Sequence, residues 1–300
     1  MSKAGPVENN ANLMLTRRVR GREFLLRPCT KLNQLIRYVT AVVASKWSID
    51  LHAITVLSDH WHLCVADPLG NIVRFQRDCH SFIARALNTQ WNGVEAVWSS
   101  RSPSRVRCEQ PEDMVDKIAY TMANPVDAGL VRHGKSWPGV RHAWPCKPIA
   151  VSRPTYFFVG EEDGGVWPSK ATLEFTRPHG YDKLSDLELG EVITNAISQR
   201  EADIHAKNHE EGKGYLGRRA VLKQSRHRKA ASPETPFGIS PKVACKDPKL
   251  RIARLKYLQQ WARDYTDALT KWRAGDRDAE FPTDTYQMAI RHNVRRRPAD

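Results

Sequence analysis

Two histidines one residue apart open the apolar run His60-Trp61-His62-Leu63-Cys64-Val65. Such a run predicts a β-strand, whose side chains alternate between two faces, so His60, His62 and Cys64 share one face and Trp61, Leu63 and Val65 the other. Neutral imidazoles are common ligands of divalent transition ions, and a His-x-His strand presents two nitrogens side by side without any loop having to be ordered. The same pattern also suits an ordinary histidine-bearing edge strand. A second stretch, Pro111 to Val126, predicts a helix on which Tyr120 and Asn124 stand one turn apart. Taken singly, Tyr120 also reads as an amphipathic boundary residue, and Asn124 as a helix-end residue that tolerates distorted backbone.

The elements that must position these groups follow from pattern and punctuation. Leu13 to Val19 and Glu23 to Arg27 read as two strands around the turn Arg20-Gly21-Arg22, whose arginines suit either phosphate contact or protection of a sheet edge. Thr30 is the expected N-cap of a helix through about Ser45, with Leu32, Leu35, Ile36, Val39 and Val43 on its buried face. Leu51 to Val56 reads as a strand that turns at Leu57-Ser58-Asp59 into the histidine strand, with His52 on its surface. A helix follows Asp67-Pro68-Leu69-Gly70 and runs to about Asn88; Val94 to Trp98 and Arg105 to Cys108 read as two further strands. In the second helix, Pro111 suits the first turn, Glu112 and Asp113 complement the positive end of the helix dipole, and Pro125 is expected to stop the helix at Asn124. Met114, Val115, Ile118, Ala119 and Met122 form its buried stripe, and Asp116, Lys117, Tyr120 and Asn124 lie opposite. An α+β layer results, a mostly antiparallel sheet with helices packed on it.

Beyond Trp137-Pro138-Gly139 the pattern changes. Residues 1–10 read as a disordered N-terminus, 11–150 as the compact unit, 151–182 as a connecting segment rich in glycine and proline, with Gly164-Gly165 inside it, and 183–300 as a basic, mainly helical extension. Within that extension, 183–210 and 249–274 are the predicted helices: Leu184, Leu187, Val192, Ile193, Ala196 and Ile197 form the stripe of the first, and Ile252, Leu255, Leu258, Trp261, Ala262, Tyr265, Leu269 and Trp272 that of the second.

Composition narrows the class of partner. The 300-residue chain carries a net charge of +14, and its halves contribute +8 and +6, the footprint expected of a protein that meets a polyanion. Arg17, Arg18, Arg20, Arg22 and Lys117 in the first half, and Arg218, Arg219, Arg226, Arg228 and Lys229 in the second, are the candidate nucleic-acid contacts; solvated surface charge is the alternative. No apolar run approaches the roughly 18 residues of a membrane span, and the first ten residues lack a secretory apolar core, so no membrane partner and a cytoplasmic location are expected. The six cysteines are scattered without a Cys-x-x-Cys pair and read as reduced thiols.

The two chemical stretches together resemble a known family. His60-Trp61-His62 is similar to the His-hydrophobic-His motif of the HUH single-tyrosine transposases. Ala119-Tyr120-Thr121-Met122-Ala123-Asn124-Pro125-Val126-Asp127-Ala128-Gly129-Leu130-Val131 resembles the Tyr-x-x-x-Asn-Pro-Val-x-Ala-Gly-Leu-Val block of the REP-associated tyrosine transposases, and the resemblance spans residues 11–145. It implies a ferredoxin-like antiparallel sheet flanked by helices, Tyr120 as nucleophile, and His60, His62 and Asn124 as ligands of Mg²⁺ or Mn²⁺. It further implies cleavage and rejoining of single-stranded, hairpin-bearing DNA through a 5′-phosphotyrosine. Asp59 departs from the family, which usually has Asn before the first histidine; this bears on metal affinity or on how the turn is held. Phe281-Pro282-Thr283-Asp284-Thr285-Tyr286 is similar to a tail block of extended members. Two rival functions stay open, a non-catalytic DNA-binding relative and a metal-dependent phosphodiesterase that uses water. The sequence does not decide between monomer and homodimer.

Overall fold

The protein is described by a computed structural model for residues 4–93, 95–157, 167–231 and 241–298. Its first half runs β1 (Ala11–Arg18), α1 (Thr30–Trp47), β2 (Asp50–Val56), β3 (His60–Asp67), α2 (Ile72–Trp91), β4 (Ser104–Cys108) and α3 (Pro111–Asp127). There follow β5 (Arg141–Ala143), β6 (Ile149–Ser152), β7 (Lys170–Leu173), α4 (Asp186–Glu210), α5 (Arg218–Lys223), β8 (Val243–Ala244), α6 (Pro248–Arg273) and α7 (Gln287–His292).

The main sheet has the order β5-β2-β3-β1-β4-β8. Its inner four strands pair antiparallel and are connected β-α-β-β-α-β, the ferredoxin-like arrangement. The fold is therefore α+β, with a helical C-terminal region, as the sequence predicts. Nearly every residue of β2 and β3 is buried, because helices cover both faces. On one face Trp61 packs against Trp98 and against His80 of α2, at ring separations of 5.9 and 5.7 Å, and α1 lies beside α2. On the other lies α3, where Thr121 Oγ1 meets Cys64 Sγ at 3.4 Å and Met122 Sδ meets Thr55 Oγ1 at 3.9 Å.

Local signals account for the element ends. Asp67 begins α2 by accepting the N–H groups of Asn71 and Ile72, both at 2.8 Å, and so satisfies two donors that a helix N-terminus leaves unpaired. Asp113 returns to the backbone N–H of Gln110 at 3.0 Å, closing the first turn of α3.

Several sequence expectations need correction. Residues 23–27 form no strand: a single 3₁₀ turn at Arg20–Arg22 redirects the chain, and Leu26 N–H then bonds Ser58 O at 2.8 Å while Leu25 and Leu26 enter the core. The expected strand at 94–98 is reduced, among the described residues, to one bridge between Val19 and Trp98; Val94 lies outside them. Cys29 rather than Thr30 caps α1, its Sγ accepting Leu32 N–H at 3.4 Å. Pro125 does not stop α3 at Asn124. The helix runs on to Asp127, since the Ala128 N–H still reaches Asn124 O at 2.9 Å. Opposite its stripe α3 meets α4, and Asn124 is buried. His52 is wholly buried, because the register skips it in a bulge between Leu51 and Ala53 and its Nδ1–H meets Thr176 O at 3.0 Å.

The segment expected to be a mere connection contributes structure. Strands β6 and β7 pair antiparallel and pack on α1, and Phe157, Trp167, Leu173 and Phe175 join the main core. Gly164-Gly165 lie outside the described residues. Helix α4, capped by Ser185, buries Leu189, Ile193 and Ile204, whereas Leu187 and Val192 of the expected stripe are exposed. In α6 the described burial falls on Trp261 and Ala268, and Ile252 and Leu255 face solvent. The tail block seats the end of α6. Phe281 is fully buried with Ala268, Met288 and Val294, and Trp261 Nε1–H donates to Thr283 O at 2.8 Å. Glu8 of the N-terminal segment pairs with Arg107 of β4 at 2.6 Å and with Arg254 of α6. Those contacts hold Glu8 in place within the stretch expected to be disordered.

Candidate active site

One row of cross-strand partners builds the floor of the site. Arg141 of β5 faces Thr55 of β2, Thr55 faces His62 of β3, and His62 faces Thr16 of β1. Cross-strand partners point to the same side of a sheet, so all four side chains lie on the face that α3 covers. Arg18 faces His60 in the next same-face row and is exposed.

Above this floor the sheet and α3 bring three sequence-predicted residues together. The His60 and His62 rings are 4.7 Å apart at their centroids, and the His62 ring lies 5.5 Å from that of Tyr120, edge to face. Asn124 stands one turn further along α3. Both His62 Nε2 and Asn124 Oδ1 are buried with no hydrogen-bond partner among the described residues. A buried polar atom without a partner is costly, and two on one side of the sheet suit atoms that await a ligand.

Each histidine has its other nitrogen engaged. His62 Nδ1 shares a 2.8 Å hydrogen bond with Thr16 Oγ1, and His60 Nδ1–H donates to Asp59 Oδ1 at 2.7 Å. The second oxygen of Asp59 lies 3.5 Å from Arg22 Nε. Metal-binding histidines are characteristically held this way, one nitrogen toward an outer acceptor and the other free for the ion. The donor set therefore fits a divalent cation, with two imidazoles and an amide oxygen leaving positions for water or phosphate.

The electrostatics are uneven. Burial first, then the charges of His60 and Arg18, hold the His62 imidazole well below its ordinary value, so it stays neutral. Burial works to raise the Asp59 carboxyl, but the hydrogen bond and charge of His60 and the charge of Arg22 outweigh it, and its pKa is lowered. Burial raises that of the Tyr120 hydroxyl, with Asp127 adding to it, against Arg200, Lys117 and Arg18. Arg200 is a residue of α4 whose guanidinium lies 4.9 Å from the Tyr120 ring centre and 3.8 Å from Asp116. Sequence reasoning missed Thr16 and Arg200. Thr16 shows itself only once the register of β1 on β3 is known, and nothing in the linear pattern links Arg200 to Tyr120.

The candidate nucleic-acid contacts divide. Arg20 pairs with Glu23 at 3.8 Å and with Glu95, Arg22 with Asp59, and Lys117 with Asp116 at 2.8 Å. Arg17 reaches Arg101 O and lies 5.9 Å from the Trp98 ring centre. Of this first group Arg18 alone is exposed. In the second, Arg218, Arg219, Arg228 and Lys229 are exposed, and Arg226 sits over Trp91 at 5.0 Å.

No family model and no curated protein matches the chain. Among solved structures it is similar, over 46% of its length and 81% of the other chain, to a REP-associated tyrosine transposase bound to a REP hairpin, with 21% identity and a TM-score of 0.39. It is also similar, over 35% of its length and 85% of the other chain, to a candidate transposase from Deinococcus radiodurans R1, with 17% identity and a TM-score of 0.28. A structure of the family that the two sequence blocks resemble is thus among the matches, while at these levels the chemistry rests on the geometry of His60, His62, Tyr120 and Asn124.

Proposed function

We propose that the chain is a transposase-type DNA strand transferase of the HUH single-tyrosine class, which cleaves and rejoins single-stranded, hairpin-bearing DNA through a 5′-phosphotyrosine. The observation that carries this reading is the His62 ring set between His60 and Tyr120, with its Nε2 buried and unpartnered among the described residues. Residues 11–150 form the catalytic unit, and 183–300 an extension that lends DNA contacts through its exposed arginines.

His60, His62 and Asn124 would hold Mg²⁺ or Mn²⁺, which as a Lewis acid on a phosphate oxygen supplies several kcal/mol of charge stabilisation. The remaining work falls to the chain. For both histidines to offer Nε2, each must carry its proton on Nδ1: Asp59 Oδ1, which can only accept, enforces this at His60, and Thr16 Oγ1 accepts from His62 Nδ1–H in that tautomer. Tyr120 Oη attacks phosphorus in line, the bond from phosphorus to the 3′ oxygen breaks, and the phenolic proton ends on the new 3′-hydroxyl. Atoms balance without water or ATP, and the phosphotyrosine keeps the bond energy for rejoining. An ordinary phenol is already protonated at neutral pH and burial disfavours its ionisation further; the positive charges of Arg200, Lys117 and Arg18 work the other way and favour the phenolate that develops during attack.

The test is incubation of the full chain with single-stranded hairpin DNA and Mn²⁺, followed by denaturing electrophoresis. A protein-DNA adduct that survives denaturation, and that Tyr120→Phe abolishes while hairpin binding persists, is the expected result. Cleavage without an adduct would instead identify water as nucleophile, and binding without cleavage would identify a non-catalytic relative.

A further inference from the structure

A second group of metal-ligating side chains lies apart from the histidine strand, where the loop after α3 meets α4. His133 stands just before the 3₁₀ turn at Gly134–Ser136, and Glu201 and His205 are four residues apart on α4, which places them on one face a turn from each other. One ligand atom from each of the three lies within 4.8 Å of the others. Three points no further apart than 4.8 Å fit inside a circle of radius about 2.8 Å, so an ion at its centre needs each ligand to close by less than about 1 Å to reach the 2.0–2.2 Å of zinc bonds.

The surroundings hold the ligands in place. His205 Nδ1 is 2.7 Å from Tyr215 Oη, which also accepts Asn208 Nδ2–H at 3.1 Å; with its proton on Nδ1, toward that oxygen, His205 offers Nε2 to an ion. Glu201 Oε1 accepts Gly134 N–H at 3.1 Å and lies 3.6 Å from Arg141 Nη2, contacts that orient the carboxylate from one oxygen. The His133 and His205 rings meet edge to face at 5.6 Å. His133 is exposed, which leaves the solvent side open for water as a further ligand. Two imidazoles and one carboxylate suit a zinc-class transition ion. The charge of Arg141 opposes the ion and sets an affinity below that of a closed, four-ligand structural zinc site.

We propose that His133, Glu201 and His205 bind a divalent transition-metal ion of the zinc class, separate from any ion held by His60, His62 and Asn124, and that this ion clips α4 to the catalytic unit. The consequence for the reaction rests on the function proposed above. Arg200 directly precedes Glu201, so fixing the helix at Glu201 and His205 also fixes the guanidinium over Tyr120. Binding of the ion itself does not depend on that function.

Equilibrium dialysis of the full chain against Co²⁺, a spectroscopic substitute for Zn²⁺, tests the proposal through bound metal and visible absorption. Glu201→Gln and His205→Ala should each lose one bound Co²⁺ per chain together with its absorption bands, and the His60→Ala/His62→Ala variant should retain them. His133→Asn, in an exposed loop where folding is not at risk, should weaken the same binding at least tenfold. Tyr215→Phe, which keeps all three ligands but removes the hydroxyl that bonds His205 and Asn208, should weaken it by about 10- to 100-fold. If Co²⁺ binding and absorption are unchanged in Glu201→Gln and in His133→Asn, the site does not exist. If instead the parent binds one ion, sensitive to Glu201 and indifferent to His60 and His62, the clip stands and the strand-transfer site is the reading that fails.

Discussion

Asp59→Asn restores the residue usual in the family that the sequence resembles, and its effect can be worked from the geometry. The carboxylate accepts His60 Nδ1–H at 2.7 Å in a nearly buried setting, with Asp59 only 7% exposed. It therefore holds the proton on His60 Nδ1, places a negative charge behind the ring and fixes the ring's rotation, effects that outer carboxylates lend to metal-binding histidines. An amide oxygen keeps the hydrogen bond and its direction but loses the charge. Of the 10- to 100-fold in metal affinity that such partners contribute, the Asn variant should lose about tenfold, or about 1.4 kcal/mol, and Asp59→Ala about 100-fold. The assay is a Mn²⁺ titration of hairpin cleavage, with binding measured in parallel by calorimetry. The Mn²⁺ midpoint should move in the order parent, Asn, Ala, while the rate at saturating Mn²⁺ changes little, since Asp59 reaches the reaction only through His60. An unmoved midpoint in both variants would refute the reasoning and leave Asp59 as a partner of Arg22 that merely holds the turn.

Arg200→Ala should slow adduct formation and move its pH-rate profile to higher pH, because the lost cation favours the phenolate of Tyr120; a uniform fall at every pH would point to misplacement of α4 instead. Stability should fall on acidification below neutrality. Burial holds His52 at about 4, well under its unfolded value near 6.5, so the unfolded chain binds more protons; the stability it lends is complete above 6.5 and is lost as pH drops toward 4. Between pH 7 and 5 that amounts to about 2 kcal/mol from His52, with His62 adding in the same direction, and urea unfolding across this range with no change in midpoint would contradict it. Neutralising Arg218, Arg219, Arg226, Arg228 and Lys229 together should weaken binding to all single strands alike and reduce the slope of log K against log salt by about 0.7 for each phosphate that is no longer neutralised. An unchanged slope would mean that this run is solvated surface.

The sequence speaks most clearly where one residue's role is set by its neighbours along the chain. Alternation around Trp61 predicts the two faces of β3, and the Pro111 start with Glu112 and Asp113 predicts α3, since both are short-range effects of sterics and charge. It speaks poorly where a distant partner decides. Glu23 to Arg27 has strand character, yet β1 takes β3 and β4 as its neighbours and no pairing edge remains beside it. His52 looks like a surface residue until a bulge turns it inward against Thr176, 124 positions away. The same limit holds in the site. His60, His62, Tyr120 and Asn124 stand out through the two family blocks that they resemble, whereas Thr16 and Arg200 are brought to them by register and by the docking of α4.

The pairing of β8 with β4 sets a timetable for synthesis. Cys108 and its partner Ala244 are 136 residues apart, so at about 5–20 residues per second the outer edge of β4 at Arg107 and Cys108 stays without this partner for roughly 7 to 27 s after it leaves the ribosome. An uncovered strand edge is a template for pairing with another chain. During that interval a nascent sheet already holding β1 to β4 is competent to join a neighbouring copy edge to edge, and a chain cut back to residue 150 would stay in that state permanently. The late residues 243–244 are thus expected to act on yield as well as on shape, by closing that part of the edge once they arrive.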